Sequence, residues 1–354
     1  MRRNRFRLTA MGLLMSLFVS GAGSADLPAA YEIEDIAWVP QTWNNCGPAT
    51  LAMGLDRWGI TATQGDIASL IRPNSRDGHV SIDQIRFAAA AWGLESFYAP
   101  SADIETVKRF VARGFPVMMP TWHIDDDGEQ MGHYRLVHGY DEAAGMFAVR
   151  DSLEPVGHRM DIRSFDLLWR VFNRRMLVLY PPDRSDEVRP IADALGTGRD
   201  MLEASLETAR SERLPVGDLP FGMSEVQYRA YGDFNRSMAL TSLGRHEEAA
   251  EALRGALGDL PWRMLWYQPE VLESMDRVNA HRWIAAETSR ALAPYPYLEE
   301  LWYWRGRAEA ALGNVDSAET AFLRALEIRP GWDLARGELA ALAPSGVDSE
   351  STRP

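Results

Sequence analysis

The sequence predicts two structural regions, an α+β domain followed by an all-α domain. Residues 31 to about 180 mix helical and strand patterns, whereas the pattern from about residue 190 onward is helical and contains an internal repeat. The 354-residue chain is 46% hydrophobic and 25% charged, which is typical of globular proteins and sufficient for two hydrophobic cores.

The first half begins with helices and continues with strands. Each predicted helix start carries residues suited to a first turn, where the backbone amides have no partner within the helix. A polar side chain can accept a hydrogen bond from such an amide, and proline has no amide hydrogen to satisfy. These starts are Cys46-Gly47-Pro48, Thr63 with Asp66, Ser81 with Gln84, and Asp103. Strand-like apolar runs lie at residues 116–122, 133–140, 146–151 and 175–180. This order predicts an α+β domain with an antiparallel sheet.

The second half contains a repeat. Five residues return with one offset of 69 positions: Gly244, Ala249, Leu253, Ala256 and Pro261 recur as Gly313, Ala318, Phe322, Ala325 and Pro330. A degenerate copy lies between them, with Ala291 and Pro296 in the last two places. The period of 34 to 35 residues resembles that of the tetratricopeptide repeat, a helical hairpin, and a generic helical bundle is the alternative.

The polar segment from Pro181 to Asp186, which opens with two prolines, predicts the boundary between the two regions. We therefore expect one domain at residues 31–181 and the repeats at 231–343. A linker with leading helices joins them at 182–230, and a disordered polar tail follows at 344–354.

The N-terminus has the pattern of an export signal. Basic residues precede an apolar stretch from Leu8 to Val19, and small residues lead to Ala25, after which we expect cleavage. Loss of residues 1–25 removes four arginines and no acid, which changes the net charge from −13 to −17. An uncleaved membrane anchor is the alternative, although a span needs roughly 20 apolar residues. We expect an exported, soluble protein, periplasmic in a Gram-negative cell, with no membrane span in the mature chain.

Charge and cysteine content exclude several classes of protein. The acidic balance provides no basic footprint for nucleic acid. The single cysteine, Cys46, excludes an internal disulfide and any zinc site with two thiolates, and the histidines show no metal-ligand spacing. We expect no cofactor and no metal.

Cys46 lies where a loop becomes a helix. Free amides and partial positive charge at a helix N-terminus favour the thiolate, which is the nucleophilic form of cysteine. The backbone amide of Cys46 can also bind an oxyanion, with the side-chain amide of Gln41, five residues upstream, as the second donor. A small buried hydrophobe is the alternative interpretation of Cys46, and the flanking Asn-Asn and Gly-Pro pairs argue against it.

A thiol nucleophile needs a base, and the base needs an orienting partner. His133 and His138 lie on one predicted strand at an odd separation, so they face opposite sides of the sheet. If the next strand forms a hairpin with it, paired positions sum to about 284 and His133 lies opposite Asp151. His138 then lies opposite Met146 and has no carboxylate. Asp141 is a rival partner that we assign to the turn.

These residues together resemble the C-thirty-nine-like cysteine peptidases. The matching segments are Asn45-Cys46-Gly47-Pro48-Ala49, Gly132-His133-Tyr134, Gly139-Tyr140-Asp141 and Val149-Arg150-Asp151. The resemblance covers roughly residues 35–180 and implies a papain-like fold. The implied roles are nucleophile for Cys46, general base and acid for His133, orientation of His133 for Asp151, and oxyanion donor for Gln41.

The best-known members of that family clip double-glycine leaders from bacteriocin precursors and are fused to transporter domains. This sequence has no glycine-rich phosphate loop, and Ser152 follows Asp151 where the family commonly has proline. It is more similar to the stand-alone exported members.

The sequence thus predicts an exported cysteine peptidase that cleaves peptide bonds through Cys46, His133 and Asp151. Its helical repeats would bind a protein partner or an extended peptide substrate. Two alternatives stay open: a peptidase-like domain without turnover in a repeat-based binding protein, and a related thiol-dependent amidase or acyl transferase.

Overall fold

The two largest hydrophobic cores among the described residues lie one in each half of the chain. The computed structural model describes residues 27–125, 127–215, 219 and 222–342. The first core lies between a sheet and the helices that cover it, and the second lies among the helices of the C-terminal half. The expected order of an α+β region followed by a helical region is confirmed.

The strands of the first half form one sheet of seven strands, and all of its pairs are antiparallel. They are β1 (Ala30–Glu32), β2 (Glu95–Ala99), β3 (Val117–Ile124), β4 (Gln130–Asp141), β5 (Met146–Asp151), β6 (Arg159–Asp161) and β7 (Met176–Tyr180). Their order is β2-β7-β3-β4-β5-β6, and β1 pairs with the end of β4. The sequence does not predict β1, β2 or β6. Three residues are too few for a pattern in β1 and β6, and β2 lacks the continuous apolar run that marks β7, which is equally short.

Four helices of the first half begin where the sequence predicts. Thr63 and Ser81 each form a capping box, and Asp103 accepts a hydrogen bond from the amide of Thr106. The helices are α1 (Cys46–Asp56), α2 (Gln64–Ile71), α3 (Ile82–Ala91), α4 (Ile104–Val111) and the unpredicted α5 (Ile162–Arg170). Cys46 is the first residue of α1, so its thiol lies at a helix N-terminus. A hydrogen bond from Thr50 Oγ1 to the carbonyl of Tyr134 joins α1 to β4.

The register of the β4–β5 hairpin differs from the predicted one. Asp151 pairs with Arg135 rather than with His133, and a bulge between Val137 and Gly139 interrupts the ladder. The predicted turn begins too early in the sequence, because β4 pairs with β1 and continues as far as Asp141. The later turn shifts the register by three positions, and the bulge moves it back by one. The net difference is two positions, which is even, so the expected shared face is kept.

The helices of the second half form successive hairpins. They are α6 (Ser185–Ala194), α7 (Gly198–Ser211), α8 (Glu225–Ser242), α9 (His246–Ala256), α10 (Met264–Tyr267), α11 (Leu272–Arg277), α12 (His281–Leu292), α13 (Glu299–Ala311), α14 (Val315–Ile328) and α15 (Asp333–Leu342). The two copies of the sequence repeat correspond to the α8–α9 and α13–α14 hairpins. In the second, a Cβ at Gly306 would lie 2.6 Å from the ring of Phe322, so the close approach requires glycine. In the degenerate copy between them, short α10 and α11 precede α12.

The two halves share an extensive boundary. Trp122 of β3 and Leu168 of α5 lie in the second core, although their elements belong to the first half. Conversely, α6 lies within the predicted linker region at 182–230 but places Val188 and Ile191 in the first core. The first core therefore extends past the predicted boundary at 181–186.

The predicted export signal at 1–25 and the predicted tail at 344–354 lie outside the described residues. None of the described helices combines the length and the apolar character that crossing a membrane requires.

Candidate active site

The loop before α1 fixes the position of Cys46. Asn45 is buried; its side-chain amide donates to Thr42 Oγ1 over 2.8 Å, and its side-chain oxygen accepts from the buried Arg72. These bonds hold the chain as it turns into α1, whose first residue is Cys46. The thiol side chain lines a cavity, so Cys46 is not simply enclosed among core hydrophobes.

The imidazole of His133 is held by Asp151. Nε2 lies 2.7 Å from Asp151 Oδ1, and both side chains are buried. When Nε2–H donates to the carboxylate, Nδ1 is the ring nitrogen left for Cys46, which lines the same cavity as His133 and whose pKa His133 lowers. The structure therefore brings three of the four predicted residues together, in the order thiol, imidazole and carboxylate.

The electrostatics of this pair favour an ionised thiol. Burial raises the pKa of Cys46, but His133 and the backbone amides of Tyr134 and Gly47 lower the pKa below its ordinary value overall. Burial lowers the pKa of His133, but the hydrogen bonds to Asp151 and Cys46 raise it above its ordinary value overall. Opposite shifts of the two pKa values favour a thiolate–imidazolium pair.

Arg135 holds the second oxygen of the carboxylate. Its Nε donates to Asp151 Oδ2 over 2.7 Å, and its Nη1 donates to Thr121 Oγ1 and to the carbonyl of Trp122. Burial raises the pKa of Asp151, but His133 and Arg135 hold that pKa well below its usual range. Sequence reasoning missed Arg135, because the predicted register gave it no partner. Its position two residues from His133, on the same strand face, is the signal that could have found it.

The two rival candidates, His138 and Asp141, lie away from Cys46 and make other contacts. His138 is at the bulge rather than opposite Met146, and its Nδ1 lies 3.0 Å from the carbonyl oxygen of Ile33. Burial lowers the pKa of His138, the reverse of the shift at His133. Asp141 Oδ1 accepts from the amide of Ala144 over 3.0 Å, which is the turn role assigned to it.

Gln41 is tied to the end of β5. Its backbone amide donates to the carbonyl of Ser152 over 3.1 Å, and its Oε1 accepts from Ser152 Oγ over 2.8 Å. Since Oε1 is engaged by Ser152, the two hydrogens on Nε2 are the donors left for an oxyanion. The described lining of the cavity beside Cys46 does not include Gln41, so its role as oxyanion donor stays a prediction.

A cavity of about 240 Å³ lies beside Cys46 and His133, and both halves of the chain line it. Tyr267 and Glu270 reach it from the helical half. The ring of Tyr267 packs so closely on Gly132 that a Cβ there would lie 2.9 Å from it. The candidate site is therefore composite, whereas sequence reasoning placed it in the first domain alone.

Two family models match the chain, one in each half. Residues 33–176 match the Peptidase_C39 like family, and residues 299–332 match a tetratricopeptide repeat. Among solved structures, the chain is similar to the peptidase domain of Streptococcus ComA, a bi-functional ABC transporter involved in a quorum-sensing pathway. The identity is 21%, the match covers 41% of this chain and 98% of that chain, and the TM-score is 0.33. No curated protein matches significantly. The chain thus combines a Peptidase_C39-like domain at residues 33–176 with a tetratricopeptide repeat at 299–332.

Proposed function

We propose that this protein hydrolyses peptide bonds by thiol catalysis. The observation that carries the proposal is the grouping of Cys46, His133 and Asp151: the thiol lies at a helix N-terminus, on the same cavity as an imidazole that Asp151 holds at 2.7 Å. The match of residues 33–176 to the Peptidase_C39 like family supports the same class of reaction.

In the proposed reaction, Cys46 Sγ attacks the carbonyl carbon of the scissile bond, and the carbonyl π electrons move to the oxygen. The backbone N–H of Cys46 and Nε2 of Gln41 stabilise that oxyanion. Collapse of the intermediate breaks the C–N bond, and His133 gives its proton to the leaving amine. His133 then takes a proton from water, whose oxygen attacks the thioester. Release of the carboxylic acid restores the thiolate–imidazolium pair.

Asp151 and Arg135 act through His133 in this scheme. Asp151 keeps Nε2 of the imidazole protonated and the ring oriented, so that Nδ1 serves the thiol and the leaving amine. Arg135 is a positioning residue, because it fixes the carboxylate oxygen that His133 does not use. A buried carboxylate held from both sides stays ionised through the cycle.

Cleavage of a peptide library by the wild type and by Cys46→Ala tests the proposal. We expect new amino termini with the wild type only, identified by mass spectrometry. Thiol-dependent release of ammonia, or transfer of an acyl group without new amino termini, would instead support an amidase or acyl transferase. A reactive thiol with no turnover of any kind would support the binding-module alternative.

We further propose that the protein acts outside the cytoplasm and that its repeats bind a protein partner or an extended substrate. The basic and apolar pattern of residues 1–25 supports export, and the tetratricopeptide match supports protein binding. N-terminal sequencing after cell fractionation tests export. We expect a periplasmic species that begins at Asp26; a chain that keeps residue 1 and fractionates with the cytoplasm would contradict it.

A further inference from the structure

A larger cavity adjoins the cavity beside Cys46, between the two halves of the chain. It has a volume of about 620 Å³ and shares His79, Ser81, Asp83 and Glu270 with the first. Together the two adjacent cavities extend from the thiol, between α3 and the repeats. We call the two together the interdomain groove.

The interdomain groove carries more acid than base. Its acidic side chains outnumber the two arginines that line it; they are Asp83, Glu270, Glu273 and Glu300, against Arg175 and Arg329. Ion pairs occupy several of these groups: Asp83 with Arg86 at 3.1 Å, Glu273 with Arg277 at 3.5 Å, and Arg329 with Glu299 at 3.9 Å. Within the described part of the chain, Glu270 and Glu300 have no arginine, lysine or histidine nitrogen within 4.0 Å.

Glu270 and Glu300 are not held in ion pairs by any described residue, and both are accessible from the groove. Glu270 is exposed and Glu300 is half-buried. Arg175 acts on Glu270 and Arg329 acts on Glu300 only at longer range, each lowering the pKa of that carboxyl group in part. A basic side chain bound in the interdomain groove would be attracted to both carboxyl groups.

Apolar side chains line the groove beside these acids. Phe87 is 62% exposed, Leu70 is 42% exposed and Leu334 of α15 is 59% exposed, and all three line the second cavity. Trp304 and Trp332 line it from the helical half. A contiguous apolar surface that stays open is typical of a binding site. Apolar walls with unpaired carboxyls suit an extended peptide that carries a basic side chain next to apolar ones.

We propose that the interdomain groove binds the substrate peptide, and that Glu270 and Glu300 select a lysine or arginine flanked by apolar residues. This inference rests on the proposed function, because the groove starts at Cys46. It makes the helical half a direct determinant of specificity, in contact with the same peptide that the thiol attacks. The negative charge of the whole chain, −13, favours the same class of substrate.

The test uses the full-length chain and a positional library of fluorescence-quenched decapeptides. One position at a time is fixed as lysine, norleucine or glutamate, so that lysine and norleucine differ mainly in charge. Cleavage is measured with the wild type. Binding is measured separately, by affinity selection on immobilised Cys46→Ala, which needs no turnover. Each measurement is repeated with Glu270→Gln and Glu300→Gln combined, and with the exposed Glu247→Gln of α9 as the control for loss of negative charge outside the groove.

We expect lysine to be preferred over norleucine by about tenfold at one or more positions, which corresponds to about 1.4 kcal/mol. The combined variant should bring this ratio close to one, and the Glu247 control should keep it. Equal selection of lysine and norleucine, a preference that survives the combined variant, or no selection of any peptide would overturn the inference. Lysine-selective binding without cleavage would sustain the groove and count against the proposed hydrolysis, so the two failures are distinguishable.

Discussion

The two walls of the cavity at Cys46 are built in different ways. On the side of the α+β domain, charge-assisted bonds fix the histidine and its carboxylate: His133 is held by Asp151 and Asp151 by Arg135, at 2.7 Å each. On the helical side, Tyr267 contributes ring packing against Gly132, and Glu270 has no basic partner among the described residues within 4.0 Å.

This difference separates two tasks. A reacting group must be held in one geometry, which a satisfied network of buried bonds provides. A binding surface must leave contacts for its ligand, and an acid without a partner or an exposed apolar side chain is such a contact. We therefore expect substitutions in the first wall to change turnover or stability, and those in the second wall to change substrate selection.

The largest effect should come from the two reacting groups. Cys46→Ala or His133→Ala should lower kcat/KM by about 10⁴-fold or more, because the nucleophile or its base is lost. The measurement is hydrolysis of the best library peptide. His138→Ala, on the same strand, is the matched control and should stay within about threefold of the wild type. Equal losses in the two histidine variants would show that His133 has no special role.

Removal of Arg135 should cost mainly stability. Arg135→Met leaves the Asp151 carboxylate buried without its second partner, and such losses cost about 3–5 kcal/mol. The exposed ion pair of Arg159 and Glu32, at 2.6 Å, offers the control, since Arg159→Met should cost about 1 kcal/mol or less. Urea unfolding of both variants measures the difference. Similar midpoints for the two would contradict a supporting role for Arg135.

The packing of Tyr267 on Gly132 should tolerate no added atom. Gly132→Ala should destabilise the contact between the halves by about 1–3 kcal/mol, because a Cβ there meets the ring at 2.9 Å. Gly255→Ala is the control, since nothing lies within 4 Å of its added Cβ. Thermal unfolding measures both. If Gly132→Ala combined with Tyr267→Leu does not recover stability, the ring contact is not the cause.

The smallest effect should come from Ser152, which holds Gln41 at the edge of the site. Ser152→Ala removes the hydrogen bond to Oε1, worth about 1 kcal/mol, so kcat should fall about fivefold with KM unchanged. Ser152→Thr keeps the hydroxyl and should recover most of the rate. A change in KM alone would place Ser152 and Gln41 at a substrate contact instead.

Much of the first wall could be predicted from the sequence, because its determinants are local. The helix start at Cys46 and the faces of β4 and β5 depend on short-range patterns, so His133 and Asp151 were paired even though the register was two residues off. A register error of two residues leaves every side chain on the same face of the sheet, so His133 and Asp151 still share a face. The predicted register gave Arg135 no partner, so its place on the same strand face as His133 was the one signal that indicated it.

The second wall could not be predicted, because it depends on how distant segments pack. Gly132 and Tyr267 are 135 positions apart in the sequence, and neither has a pattern that indicates the other. Glu270 lies between two short helices in the degenerate copy of the repeat, where periodicity is weakest. Sequence periodicity indicates which face of a helix is buried. The shape of the cavity depends instead on how the two halves of the chain pack against each other.

The most direct test of the account is the rate of iodoacetamide labelling of Cys46 as a function of pH. We predict that the wild-type thiol reacts well below pH 8, because His133 lowers its pKa, and that His133→Ala abolishes this low-pH reactivity while His138→Ala keeps it. A wild-type rate that rises like that of a free thiol, with a midpoint near about 8.5, would contradict the thiolate–imidazolium pair and with it the proposed catalysis.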